Sequence, residues 1–178
     1  AGEVDGYMTK FWGVFLMPLV LAAVLVMFWI IPKIDPLKRN IAKFRKYYDE
    51  LILLLAGFLF YIHSLTIVWN LGYRFNMSLM IIPAMGFLFY YLGILTENAK
   101  RNWFVGIRTP WTMSSERVWD KTHRLGGKMF KASALIAFSG LLVPEYAIWL
   151  AMVPVLFSSA YLVIYSYLEY RKTPKDGL

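Results

Sequence analysis

The stretch 98-NAKRNWFVGIRTPWTMSSERVWDKTHRLGGKMFK-131 holds eight of the chain's 19 lysines and arginines, and runs 77–96 and 132–144 on either side of it carry no charge at all. A cationic segment set between long uncharged runs is the pattern of a loop held at a membrane surface. The whole composition agrees. Of 178 residues, 59% are hydrophobic and 17% charged, with a mean hydropathy of +0.52. Soluble chains run at about 45–50% apolar and about 25% charged. The 18% aromatic share suits tryptophans and tyrosines lining two membrane interfaces. The expected class is all-α, a polytopic integral membrane helical bundle.

Working outward from that stretch, uncharged runs at 11–31, 51–71, 77–96 and 146–168 are each long enough, at about 1.5 Å per residue, to cross about 30 Å of hydrocarbon. A shorter run, 129–143, makes five spans if the stems of Lys128 and Lys131 snorkel to the interface, with Pro144 and Glu145 as a tight hairpin before the last span. Basic residues crowd 33–50 and 97–131 and recur at Arg171, Lys172 and Lys175, whereas the 71–77 connection has only Arg74 and the 144–145 turn has none. Lysine and arginine mark the cytoplasmic side, so this alternation predicts a multi-pass cell-membrane protein with an outer N-terminus and a cytoplasmic C-terminus. The net charge of +8 thus reads as topology and attraction to membrane lipid rather than as a nucleic-acid surface.

From Ser114 onward the central segment has helical period. Ser114 is placed to cap, and Glu116 suits the first turn. Val118, Trp119, Thr122, Leu125, Gly126, Met129 and Phe130 share one face. Arg117, Lys121, Arg124 and Lys128 form a basic stripe opposite, with Glu116, Asp120 and His123 beside it. This predicts a cytoplasmic amphipathic helix, apolar face at the headgroup boundary, that Gly126 and Gly127 let bend into the next span. Upstream, 102–112 has no helical or strand period. Gly106 permits an unusual backbone angle, Pro110 sets a turn, and Arg108 offers a planar fork to a carboxylate or phosphate, or to helix-end carbonyls. Irregular backbone near a membrane must find protein or water partners, which predicts an ordered loop docked under the bundle. Trp103, Trp111 and Trp119 read as interfacial belt residues.

The run Asn102-x-x-x-Gly106-x-Arg108-Thr109-Pro110-x-Thr112, followed by Trp119 and His123-Arg124-x-Gly126, resembles the signature of SdpI-like membrane proteins, which are named for immunity to a secreted sporulation-delaying toxin peptide. The opening Asp5-Gly6-Tyr7 resembles the end of a motif in the small domain that precedes this signature in many members. The resemblance implies two regions, 1–50 as a remnant of that small domain and 51–178 as the SdpI-like membrane domain with its motif loop at 97–131. It also implies a further N-terminal span and six spans in the native molecule. It implies a membrane immunity or signalling protein without catalysis that meets a secreted peptide outside and a cytoplasmic protein at the basic loop. Asn102, Gly106, Arg108, Thr109, Pro110, Trp119 and His123 are its motif or partner-binding residues, and Asp5, Gly6 and Tyr7 its outer motif.

Other chemistries have less support. His63, Thr66 and Asn70 share a face of the second span, so a polar track for a small transporter or lipid-handling protein is the alternative; a neutral imidazole bonded inside the bundle is the plainer reading of His63. Glu116, Asp120 and His123 have a spacing that could hold a divalent cation, but such patterns are common on solvated helix faces. No metal site or cofactor is expected. With no cysteine and two histidines, and no His-Glu-x-x-His, Gly-x-Ser-x-Gly or Walker loop, the chain lacks the motifs of an enzyme.

Overall fold

In a computed structural model, residues 6–172 are described and are all-helical, with no strand among them. The elements are α1 (Lys10–Ile34), α2 (Lys38–Lys43), α3 (Arg45–Asn70), α4 (Met77–Asn98), α5 (Pro110–Ser114), α6 (Glu116–Ser139), a 3-10 turn at Pro144–Tyr146, and α7 (Ala147–Arg171). Four helical stretches, Lys10–Ile34, Arg45–Asn70, Met77–Asn98 and Pro144–Arg171, are long and apolar enough to cross a membrane. Each coincides with an uncharged run read from the sequence.

Two expectations change. The basic segment 33–50 is mostly helical, because α1 continues two residues past Pro32 and α3 begins at Arg45, six residues ahead of its uncharged run. Residues 129–143 are not a helix of their own: α6 runs unbroken from Glu116 to Ser139, so the amphipathic helix and the short span foreseen as two elements are one. Gly126 and Gly127 stay helical because they are contact points. A Cβ on Gly93 of α4 would lie 2.7 Å from the Gly127 carbonyl oxygen and 2.6 Å from Lys131 Cγ, so α4 and α6 approach backbone to backbone. Close approach through small residues is how helices pack where hydrocarbon, not water, surrounds them.

The same device pairs α6 with α7. Gly140 sits against Ala147, where a Cβ would come within 2.9 Å of the Ala147 Cα, and Ala134, Ala137, Ala147 and Ala151 are all buried. Midway, the Ser133 and Ser158 hydroxyls lie 3.2 Å apart. At the far end Lys121 Nζ donates to Glu169 at 2.6 Å. The start of α6 therefore meets the end of α7 and the end of α6 meets its start, an antiparallel pair of nearly equal length.

Burial separates into two cores. One, with Ile82, Phe89 and the four alanines, joins α4, α6 and α7. The other, with Ile31, Tyr48, Leu51, Leu95, Val105 and Trp119, lies at the basic end and gathers α1, α3, α4, α6 and the 99–109 loop. Tyrosine hydroxyls fasten the N-terminal helices to it: Tyr48 donates to the Phe28 carbonyl at 2.6 Å, and Tyr91 meets the Tyr47 carbonyl and the Glu50 carboxylate at 2.9 and 2.7 Å. Outward-facing Trp29, Leu53, Phe60, Leu156 and Phe157 stay exposed, as residues that face lipid must.

Candidate functional site: the motif loop

The connection from α4 to α5 is an eleven-residue irregular segment, 99–109, and its side chains hold its own backbone together. Asn102, fully buried, uses its whole amide: Nδ2 donates to the Lys100 and Val105 carbonyls at 2.8 and 2.9 Å, and Oδ1 accepts from Phe104 and Val105 amides at 2.9 and 2.6 Å. A buried asparagine with every donor and acceptor engaged specifies one loop shape, since any slip leaves polar groups stranded. Gly106 follows at φ +113, the left-handed region that side chains disfavour, and a Cβ there would also run into His123 Nε2.

His123 is buried on α6, 1% exposed, stacked on Trp119 at 3.8 Å between ring centroids. Its Nε2 accepts the Ile107 amide at 3.0 Å and Nδ1 faces the Trp119 carbonyl at 2.9 Å. Nε2 must therefore be bare and Nδ1 must carry the proton, the neutral tautomer. Burial lowers its pKa to about 4, against a smaller opposing effect of the Trp119 carbonyl. The expectation that His123 lies beside the basic stripe is corrected: the loop covers it, away from exposed Glu116 and Asp120. Among the described residues no group of three metal-ligating side chains is brought together.

Trp119 is likewise corrected from a membrane-belt residue to a core one. It is 1% exposed and its Nε1 donates to the Ala99 carbonyl at 2.8 Å, pinning the end of α4. Trp103 is exposed, and Trp111 is partly covered by Tyr167, ring centroids 5.0 Å apart. Pro110 starts a helix rather than only a turn. Thr109 and Thr112 form a reciprocal cap around it, with the Thr112 hydroxyl also donating to the Ile107 carbonyl at 2.8 Å and Thr109 reaching Ser166 of α7 at 3.0 Å. Because α5 intervenes, Ser115 and not Ser114 caps α6, accepting from the Val118 amide.

One buried group escaped the reading of the sequence. Asp35, just past α1, accepts the Leu37 amide at 2.6 Å and the Trp103 amide at 2.9 Å, joining the N-terminal helices to the motif loop. A lone acid among Lys33, Lys38 and Arg39 is the sequence signal that could have marked it. Asn40 adds a second tie, donating to the Arg101 carbonyl at 2.8 Å.

Of the polar side chains in the 102–112 part of the motif, Arg108 alone ends in the open. One Nη donates to the Trp103 carbonyl, and the remaining guanidinium donors are at the surface. On α6, Arg117, Lys121, Arg124 and Lys128 are all exposed, as the helical period requires; Lys121 is committed to Glu169, and Lys131 pairs with Glu97 at 2.8 Å. Between the loop and the C-terminal halves of α1, α4 and α7 lies a cleft of about 700 Å³, with Phe28, Ile31, Leu95, Phe130 and Val163 among its walls and Arg108 at its edge.

The intramembrane group does not assemble into a track. Thr66 and Asn70 hydrogen-bond back to the Ile62 and Thr66 carbonyls of their own helix, at 3.0 and 2.8 Å, and the buried Nδ1 of His63 meets no partner among the described residues. At the other end of the bundle Gly6, Tyr7, Arg74 and Glu145 are exposed; Asp5 lies outside the described residues.

Residues 98–166 match the family described as the SdpI/YfhL protein family. The chain is also 29% identical over 161 residues to Immunity protein SdpI of Bacillus subtilis (strain 168), an alignment covering 89% of this chain and 75% of that relative. No solved structure matches it. The family region opens at the docked loop and runs through α6 and most of α7, and it contains Asn102, Gly106, Arg108, Trp119 and His123, the residues that carry the resemblance to SdpI-like membrane proteins.

Proposed function

We propose that this chain is a non-enzymatic membrane immunity protein, protecting against or sensing a secreted antimicrobial peptide. The observation that carries the reading is the similarity to Immunity protein SdpI along most of the chain, with the family match falling on the hydrogen-bonded loop and the helices that hold it. In this reading α6 is the fifth crossing helix. Its C-terminal half with residues 140–143 makes the short crossing segment 129–143, completed by the snorkelling stems of Lys128 and Lys131, while its first turns, 116–124, stand at the inner surface beside the end of α7. The chain then crosses five times, and the basic ends of α1, α4 and α7 face the cytoplasm with the C-terminus.

The outer face, with Gly6 and Tyr7, Asn70, Arg74 and Glu145, is where a secreted peptide arrives. The inner face presents Arg108, Trp103 and the unpaired cations of α6 to a cytoplasmic protein or to lipid. The buried motif residues Asn102, Gly106, Thr109, Pro110, Trp119 and His123 act by shaping that face. The transport alternative finds no continuous chain of polar groups along α3, and no observation favours it.

The reading is tested by expressing the chain in a host sensitive to sporulation-delaying-type peptides. Survival at peptide concentrations that kill the parent host is expected, with the protection weakened by Asn102→Leu at equal membrane abundance. Unchanged killing across the candidate peptides would overturn it.

A further inference from the structure

The cleft beneath the motif loop has the make-up of a site for one amphiphile. Its volume of about 700 Å³ falls in the range of small-molecule sites, about 300–1,000 Å³. Its walls are apolar side chains from four elements: Phe28 and Ile31 of α1, Leu92 and Leu95 of α4, Phe130 of α6 and Val163 of α7. Met27 and Ser159 at its margin are exposed, so it opens to the surface of the bundle rather than closing over a void. Among the described residues that line it, Arg108 is the only charged one, and no carboxylate lines it at all. Pro32, next to Ile31 in α1, borders a second crevice lined by Lys38, Arg39 and Arg45, which adds positive charge to the same end of the bundle.

We infer that this cleft holds an anionic phospholipid, with an acyl chain along the walls and the phosphodiester on Arg108. Charge complementarity selects that occupant. A guanidinium gives phosphate oxygens two parallel N–H donors, and only one Nη of Arg108 is used within the protein. A choline or ammonium headgroup would bring a cation toward Arg108 and find no acid in the cleft to receive it. The depth is right as well, since the cleft lies where α1 and α4 end and the basic loops begin, the level of lipid headgroups. The rigidity of the loop then has a use: Asn102, Gly106 and His123 hold Arg108 over the cleft. This inference does not depend on the immunity reading.

The test is native mass spectrometry of the full chain released from nanodiscs of equal phosphatidylglycerol and phosphatidylcholine. One retained phosphatidylglycerol per chain is expected. Arg108→Gln should lower its retention about tenfold, the size of one charge-assisted hydrogen bond. Ser159→Trp, filling the margin of the cleft from an exposed position, should abolish retention of either lipid, and Lys128→Gln on the exposed stripe should leave it unchanged. Equal retention of the two lipids, or retention unaffected by both Arg108→Gln and Ser159→Trp, would overturn the site. Displacement of the lipid by millimolar glycerol phosphate would overturn it too, by showing that a headgroup alone is recognised.

Discussion

The Ile107 amide donates to Nε2 of His123 at 3.0 Å, so a loop residue is held by a side chain sixteen positions further along the chain. That bond exists only while the imidazole is neutral. Protonated Nε2 would be a donor facing a donor, in a site that Gly106 and Trp119 close off from water.

Acid should therefore loosen the loop. The pKa of His123 is lowered by burial from 6.5 to about 4, so between those values the unfolded chain takes up a proton that the folded chain refuses. Stability on this account is full above pH 6.5 and falls as pH drops toward 4, by up to about 3 kcal/mol. Hydrogen exchange at the Ile107 amide, corrected for the intrinsic pH dependence, should accelerate through that window. In His123→Asn the window should vanish. A wild-type amide equally protected at pH 7 and pH 4.5 would refute the account.

Asp35 is expected to join the N-terminal helices to the family region. Its buried carboxylate is solvated by two backbone amides in place of water. Asp35→Ala strands both donors, and a loss of about 1–3 kcal/mol in detergent unfolding should follow, with faster exchange at Trp103. Asp35→Asn keeps one acceptor oxygen and should fall between. If Asp35→Ala leaves Trp103 exchange unchanged, the two regions are joined by packing alone.

The helices were legible because their signal is local. Uncharged runs locate α1, α3, α4 and α7, and a period of 3.6 places Arg117, Lys121, Arg124 and Lys128 on the outside of α6, where they are found. His123 and Trp119 were misplaced for the opposite reason. Residue 123 falls at the edge of the apolar face, and what buries it is a loop from elsewhere in the chain, invisible to a helical wheel. The continuity of α6 depends likewise on Gly93 of another helix, and α5 on a threonine pair that caps a helix too short to show a period. The motif resemblance singled out loop residues without showing that most of them face inward.

Glycine at the α4–α6 crossing should be irreplaceable. At Gly93 a methyl group would press on the Gly127 carbonyl oxygen, which is backbone and cannot turn aside. Gly93→Ala should cost about 1–3 kcal/mol by forcing the helices apart. Gly57→Ala on α3 is the control: nothing lies within 4 Å of its Cβ position, and the helix should be unchanged or stabilised by up to about 1 kcal/mol. Thermal unfolding in one detergent compares the two, and equal melting temperatures would show that the contact carries no energy.

The crossing of α6 can be read directly, because the chain has no cysteine and each introduced thiol reports alone. Lys121 meets Glu169 at the end of α7, whereas Gly140 meets Ala147 at its beginning. If α7 crosses the membrane, α6 cannot lie flat on one surface and keep both contacts. Arg117→Cys and Arg124→Cys should therefore react with a membrane-impermeant maleimide only after permeabilisation. Arg74→Cys and Glu145→Cys should react in intact cells. The positive stripe makes the orientation strict, since carrying Arg117, Arg124 and Lys128 to the outer side would reverse the lysine and arginine bias of every basic connection at once. Labelling of Arg117→Cys and Glu145→Cys from the same side would return α6 to the interface and leave four crossings.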